Sequence, residues 1–132
     1  MSKLSAFLNP VSAEQEREVV ISNRFQDEKG NPVPFRIRAI TQEENDKIVN
    51  SCKRRLKNGE ETVDTRLLGR KLVVAATVEP DFRSTEMCEH FGTLDPLEVP
   101  GKMLLSGEYT RLMEAINDLS GFNDDAVAEA KN

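Results

Sequence analysis

The side chains that most often carry out catalysis are scarce in this sequence. His90 is the only histidine, so a catalytic triad or an imidazole general base would have to use it. It lies between Glu89 and Phe91 at a predicted helix end, where a surface or capping role is the usual one. The glycines are isolated, and the GxxxxGK pattern of a phosphate-binding loop does not occur. These residues therefore give no positive sign of an enzyme.

Carboxylates and thiols do not predict a site either. The acidic pairs Glu43–Glu44, Glu60–Glu61 and Asp124–Asp125 fall at predicted helix starts or in loops, whereas a catalytic pair needs an apolar cleft that separates the two pKa values. Cys52 and Cys88 lie far apart and have no histidine at metal-ligand spacing. We interpret both as small buried apolar residues. We expect no catalytic residue, no metal and no cofactor.

Basic side chains form the one cluster that is able to attract an anion. Eight of them fall between residues 47 and 71, namely Lys47, Lys53, Arg54, Arg55, Lys57, Arg66, Arg70 and Lys71. A solvated face is the simplest interpretation, and a patch that meets an acidic protein partner is the next. A helix-turn-helix that binds DNA is a further alternative, but Glu60 and Glu61 occupy a linker longer than that motif's turn.

Length and composition predict one soluble domain over residues 1–132. The net charge of −5 argues against a dedicated nucleic-acid binder. The charged fraction, 31%, is above the usual share. It predicts either a thin core or a protein that folds fully only with a partner. The apolar patch in the first residues is too short for a signal peptide, and no later apolar run approaches membrane-spanning length. We therefore expect the cytoplasm as its location, and no membrane partner.

A β-hairpin is predicted after a flexible N-terminal arm at residues 1–15. The stretch Glu18–Phe25 is rich in β-branched and apolar residues, and a dense turn signal follows at residues 27–32. In the next stretch Phe35 and Ile37 alternate with arginines, which is the pattern of a half-buried strand. We place this hairpin within residues 16–40. Helices must cover it, because an isolated hairpin is marginally stable.

Residues 41–132 are predicted to be mainly helical. Thr41 and Glu44 form a capping box, and the helix that begins there is expected to end at Asn58–Gly59. Further helices are predicted from the caps and glycine or proline stops at residues 64–76, 84–91, 95 onward with a disturbance at Pro100–Gly101, 106–121 and 124–130. The fold class is therefore α+β, with an N-terminal β-hairpin packed on about five helices.

An ordered set of short motifs resembles the XkdN-like phage tail assembly chaperones. The set comprises Ile40–Glu44 after the hairpin, then Val78–Phe82, Phe91–Gly92, Asp95–Pro96, Ser106–Tyr109, Ile116–Phe122 and the ending Glu129–Asn132. The resemblance covers most of the chain, and its strength lies in the order of the motifs rather than in any one of them. Pro100–Gly101 departs from the regular helix expected in that family.

The resemblance implies a non-enzymatic chaperone that binds the tape measure protein and assists tail tube assembly. It implies tail tube subunits as further partners, and absence from the mature particle. The ending Ala130–Asn132 is compatible with a slippery codon run, which would produce a longer frameshifted form of the protein as another partner. A minor structural tail protein, or a small DNA-binding phage regulator that uses residues 47–71, is the alternative.

Partner-binding residues are predicted at both ends of the chain. Such a chaperone needs exposed apolar side chains and a soluble remainder, not a catalytic pocket. The N-terminal candidates are Leu4, Phe7 and Leu8, which are spaced for one face of a helical turn. The C-terminal candidates are Phe122, Ala126 and Val127. The alternative for Phe122 is that it folds back and seals the last long helix.

Overall fold

The computed structural model describes residues 3–11 and 14–122. Its α-helices are α1 (Lys3–Leu8), α2 (Gln42–Ser51), α3 (Thr65–Ala76), α4 (Thr85–His90), α5 (Val99–Met103) and α6 (Ser106–Leu119), and Pro96–Glu98 form a 3₁₀ turn. Its strands are β1 (Glu16–Val19), β2 (Phe35–Arg38), β3 (Lys53–Arg55), β4 (Glu61–Val63) and β5 (Thr77–Glu79). The predicted α+β class, with an N-terminal strand pair and a mainly helical remainder, is confirmed.

A three-stranded antiparallel sheet forms the β part of the core. Its order is β1-β2-β5, with Val19 opposite Phe35 and Ile37 opposite Thr77. The predicted alternation on β2 is confirmed, since Phe35 and Ile37 are buried while Arg36 is exposed. The first strand begins before the predicted Glu18–Phe25 stretch and already ends at Val19. The β5 strand was not predicted, because its three residues directly follow a helix and are too few for a period.

The prediction that one helix runs from Thr41 to Asn58–Gly59 is wrong beyond Ser51. Its start is confirmed, because the Thr41 hydroxyl accepts a hydrogen bond from the Glu44 amide at 3.2 Å. After Ser51 the chain forms the antiparallel pair β3–β4, and Gly59 takes a left-handed φ of 87° in the connecting turn. Asn-Gly is the typical sequence of a hairpin turn, and the basic run in β3 offers no apolar face to a helix. The helix-turn-helix alternative therefore fails.

Helix α3 contacts α2, α5, α6 and the 3₁₀ turn, and so lies at the centre of the helical part. The Asp64 carboxylate accepts a hydrogen bond from the Leu67 amide at 3.1 Å, and the helix ends at Ala76 as predicted. Its buried residues Val73, Val74 and Ala76 join a single core with side chains from the sheet and the later helices. That core comprises Ile21, Phe35, Ile37, Val73, Val74, Ala76, Phe82, Cys88, Val99, Leu104, Leu112, Ile116 and Leu119.

The helices after α3 follow the predicted caps closely. Ser84 caps α4, and Asp95 caps the 3₁₀ turn that leads into α5. Leu105, not Ser106, is the N-cap residue of α6, and the α6 carboxylate Glu108 accepts a hydrogen bond from the Leu105 amide at 2.8 Å. Gly121 ends α6 with a φ of 99°, as expected for a C-terminal glycine. The helix predicted at residues 124–130 lies outside the described residues.

Glu108 is the most deeply buried carboxylate that the structure describes, with 3% of its side chain exposed. Arg24, from the loop after β1, donates its Nε to the Glu108 carboxylate at 2.9 Å. Hydrogen bonds from Arg24 and Ser22 are the main reason why the pKa of Glu108 is lowered to about 2. This pair fastens the loop between β1 and β2 to the first turn of α6.

We expect the Glu108 carboxylate to make acid unfolding pH-dependent. Its folded pKa lies below its usual value of 4.5, so its contribution to stability is fully present above about pH 4.5 and is lost as the pH falls toward 2. Urea unfolding of the wild type and of Glu108→Gln, measured at intervals from pH 7 to pH 2.5, checks this. The difference between the two proteins should shrink with falling pH. A difference that stays constant over this range would contradict the assignment.

Candidate partner-binding surfaces

Helix α1 presents three large apolar side chains to solvent. Leu4, Phe7 and Leu8 are 63%, 78% and 68% exposed. Their spacing of three and four residues places them on one face of the helix, as predicted from the sequence. No residue of α1 is buried, so its apolar face is not used to hold the fold together. An apolar helix face that the described residues leave uncovered is typical of a surface that binds another protein.

Phe122 lies at the other candidate surface, just after the end of α6. The reversal at Gly121 lets the Phe122 amide donate a hydrogen bond to the carbonyl of Asn117 at 2.9 Å. The phenyl ring is nevertheless 75% exposed. The ring therefore does not seal the helix end, and it stands at the rim of a groove.

The groove at Phe122 has an apolar floor and a polar rim. Its volume is about 180 Å³, which is below the range of small-molecule pockets and suits one or two apolar side chains of a partner. The floor is formed by aliphatic side chains, and the rim by amides and hydroxyls; the lining residues are Ile40, Thr41, Gln42, Asn45, Leu72, Ile116, Asn117, Ser120 and Phe122. The Ser120 hydroxyl accepts a hydrogen bond from the Ile40 amide at 3.0 Å and holds two walls together.

Two ion pairs hold the strands against the helices near this groove. Arg38 donates two hydrogen bonds to the Glu44 carboxylate at 2.8 and 2.7 Å, and its Nε donates to the Ala75 carbonyl at 3.1 Å. Arg17 on β1 donates to the Asp118 carboxylate on α6 at 2.7 Å. The hydrogen bond with Arg38 is the main cause of the lowered pKa of Glu44. These contacts fix the floor of the groove relative to the sheet.

The structure does not combine the predicted contact residues into one site. No residue of α1 lines the groove at Phe122, so the two described surfaces are separate. Ala126 and Val127 lie outside the described residues, and their role stays a prediction. Sequence reasoning missed Ile40 and Leu72 as groove residues. It also missed Leu94 and Leu105, two exposed leucines that no periodic pattern marks.

The cysteines and the histidine considered in the sequence analysis occupy ordinary structural positions. Cys52 and Cys88 are buried free thiols, as predicted. His90 is exposed, and its ring packs edge-on against Phe91 with 4.8 Å between the ring centroids. Within residues 3–11 and 14–122, no three His, Cys, Asp or Glu side chains gather closely enough to hold a metal ion. None of the helices in that part of the chain is long and apolar enough to cross a bilayer.

Together these features define a small α+β protein whose distinctive surfaces are suited to binding other proteins. An apolar helix face and shallow grooves provide contact area for a polypeptide. The groove at Phe122 is built on the single core, and ion pairs between strands and helices hold its walls.

Comparison with known proteins gives the family. The chain matches the family of phage XkdN-like tail assembly chaperone proteins over residues 4–131. It is 34% identical to the phage-like element PBSX protein XkdN of Bacillus subtilis strain 168, over 98% of this chain and 93% of that protein. It is 35% identical to the uncharacterized protein YqbN of the same strain, over 92% of this chain and 86% of that protein. The chain belongs to the XkdN-like tail assembly chaperone family.

The fold agrees with a solved structure of a relative. The crystal structure of YqbN superposes with a TM-score of 0.77 at 32% identity, and covers 93% of this chain and 99% of that one. The resemblance inferred from the ordered motifs is thereby confirmed.

Proposed function

We propose that this protein binds the tape measure protein during phage tail assembly and assists the assembly of tail tube subunits around it. The observation that carries the proposal is the apolar face of α1, which is exposed in a chain whose family match extends over residues 4–131. A tape measure protein is long and helical, and its apolar faces are uncovered until the tube closes. The α1 face and the groove at Phe122 provide two separate contacts for such faces.

The proposed mechanism is reversible burial of apolar surface. Leu4, Phe7 and Leu8 cover apolar side chains of the client, and this removes from water the surface that would otherwise aggregate. The net charge of −5 keeps the complex soluble. Binding needs no covalent step and no cofactor, and tube subunits displace the chaperone as they cover the same client surface. We place this activity in the host cytoplasm and expect the chaperone to be absent from finished particles.

Co-expression with the tape measure protein of the same gene cluster tests the proposal. The wild-type chain should keep the tape measure protein soluble and co-elute with it in an affinity pull-down. The double variant Phe7→Ser/Leu8→Ser should bind the tape measure protein roughly thirtyfold more weakly and recover much less of it, because loss of one binding hot spot costs about 2 kcal/mol. Phe122→Ser tests the groove separately. Leu94→Ser is the matched control. It also removes a fully exposed apolar side chain, but Leu94 belongs to neither of the two candidate surfaces.

Two outcomes would overturn the proposal. If the tape measure protein stays insoluble with the wild-type chain and with its longer frameshifted form, it is not the client. If the chain is found by mass spectrometry in purified particles at a fixed ratio to tube subunits, the protein is a structural tail component.

A further inference from the structure

Arginine pairing is strongly uneven across this protein. Six of its ten arginines donate to, or form an ion pair with, a carboxylate or a backbone carbonyl: Arg17, Arg24, Arg36, Arg38, Arg83 and Arg111. The other four are Arg54, Arg55, Arg66 and Arg70, and the structure shows for them no ion pair and no side-chain hydrogen bond with any described residue. All four fall within 17 positions of the sequence. Cations left unpaired in one place are available to a partner.

The same region carries a positive charge that contrasts with the rest of the chain. Residues 47–71 contain eight Lys or Arg and three Asp or Glu, a net charge of +5, whereas the whole chain has −5. One of the three acidic residues, Asp64, is occupied as the N-cap of α3. The other two are Glu60 and Glu61, and Glu61 lies opposite Arg55 in the β3–β4 register. Neither forms an ion pair with the arginines of α3 in the described part of the chain.

Arg66 and Arg70 line a groove between α3 and the start of α6. The groove has a volume of about 470 Å³ and is lined by Thr65, Arg66, Gly69, Arg70, Gly101, Leu104, Ser106, Tyr109 and Thr110. Gly69 lies beside Tyr109, since a Cβ at this position would be 3.8 Å from the Tyr109 hydroxyl, an ordinary contact distance. The lining thus combines two guanidinium groups and several hydroxyls with apolar surface that includes Leu104 and the Tyr109 ring.

A second hollow continues this groove past Arg70. It is about 310 Å³ and is lined by Arg70, Leu97, Glu98, Gly101 and Lys102. Glu98 is the one acid in its lining, and its carboxylate accepts a hydrogen bond from the Thr93 hydroxyl at 2.8 Å. Among the described residues, Glu98 forms no ion pair with Arg70 or Lys102. The two hollows share Arg70 and Gly101 and together contain Arg66, Arg70 and Lys102; we call them the basic groove.

We propose that the basic groove is a docking site for an acidic polypeptide segment of a partner protein. The guanidinium groups would donate to carboxylates, and the hydroxyls of the walls would hydrogen-bond the segment's backbone. An acidic segment fits better than nucleic acid, because Arg66, Arg70 and Lys102 can pair with a few carboxylates but provide too few phosphate contacts for stable binding of a duplex. The tape measure protein is the expected source of the segment, and that part of the inference rests on the proposed function.

The docking site is tested with a defined probe, a 20-residue helical peptide of Glu and Ala, in an NMR titration of the ¹⁵N-labelled full chain. We expect the largest amide shifts at Gly69, Gly101 and Ser106, with affinity falling as salt rises. The double variant Arg66→Glu/Arg70→Glu should bind at least tenfold more weakly, because each removed guanidinium leaves a carboxylate without its charge-assisted bond. Lys29→Glu/Arg83→Glu changes the net charge equally, outside the groove, and should bind like the wild type.

Three results would overturn the inference. They are peptide shifts that map away from the basic groove, equal binding by the two double variants, and tighter binding of a DNA duplex to the same amides at equal ionic strength. The NMR spectrum of each variant without peptide shows whether the variant folds. If Arg66→Glu/Arg70→Glu does not fold, Arg66→Gln/Arg70→Gln replaces it. The peptide result is independent of the client: if the tape measure protein is not captured while the peptide binds the groove, the proposed function fails and the docking site stands.

Discussion

Phe82→Ala is expected to lower the free energy of unfolding by roughly 3–5 kcal/mol. Phe82 is completely buried between β5 and α4, and it belongs to the core that joins the sheet to the helices. Truncation removes its transfer free energy and leaves a cavity that the surrounding side chains fill only in part. A domain of this size has about 5–15 kcal/mol of stability in total, so the variant should be close to unfolding. Guanidinium denaturation followed by circular dichroism measures the change.

Phe7→Ala is the matched control, because it makes the same chemical change on a side chain that is mostly exposed. It should change the free energy of unfolding by less than about 0.5 kcal/mol. If the two variants were equally destabilised, Phe7 would have to be part of the core, and the α1 face would no longer be available for a client. The comparison of Phe82→Ala with Phe7→Ala therefore tests both the described core and the exposure of the α1 face on which the proposed function depends.

Ile116→Ala is expected to cost roughly 2–5 kcal/mol. Ile116 is almost fully buried on α6, and it also forms part of the floor of the groove at Phe122. Its side chain packs in the core and also lines the groove. Ile116→Val, which removes a single methylene, should cost about 0.5–1.5 kcal/mol. Chemical denaturation of the three proteins under the same conditions measures both differences.

The expected loss of stability in Ile116→Ala decides which variant should test the groove at Phe122 in pull-downs. A loss of client binding in Ile116→Ala would be ambiguous, because the variant is also expected to be much less stable. Phe122→Ser alters the rim, where the ring is exposed, and should leave stability nearly unchanged. If Ile116→Ala were as stable as the wild type, the residue would be a surface side chain, and the description of the groove floor would be wrong.

Much of the fold was predictable because local signals agreed with tertiary packing. In α6, Leu112, Ile116 and Leu119 recur at helical spacing, and all three are buried. In β2, alternation placed Phe35 and Ile37 in the core. Here each residue's local preference and its position in the core favour the same conformation, so the pattern was sufficient.

The prediction failed where two interpretations of one local signal compete. Asn58–Gly59 is compatible with both a helix end and a hairpin turn. Capping by Thr41 and the spacing of Ile48 and Cys52 favoured a helix, and nothing in the β3 sequence marks a strand. The hairpin is two three-residue strands paired only with each other, with Asp64 donating its amide to the Cys52 carbonyl at 2.9 Å. Such a short pairing depends on contacts outside its own sequence.

The candidate sites were predictable only to the extent that they are local. The face of α1 is set by three residues within one helical turn, so spacing revealed it. The groove at Phe122 joins Ile40 to Ile116, and the basic groove joins Arg66 to Tyr109. Residues so far apart in sequence come together through the packing of α6 on α3 and on the sheet, which no single-sequence pattern specifies. The basic cluster itself was visible in the sequence, but not which of its cations are unpaired.

The place of Tyr109 gives the protein a built-in optical reporter. The chain has no tryptophan and one tyrosine, and that phenol lies in the wall of the basic groove beside Gly69. Burial raises the pKa of Tyr109, while the nearby charge of Arg70 lowers it. All ultraviolet emission of the folded chain excited at tyrosine wavelengths therefore originates beside one groove. Carboxylates that enter it would alter the quantum yield of the phenol, so occupancy of the groove is readable in unlabelled protein.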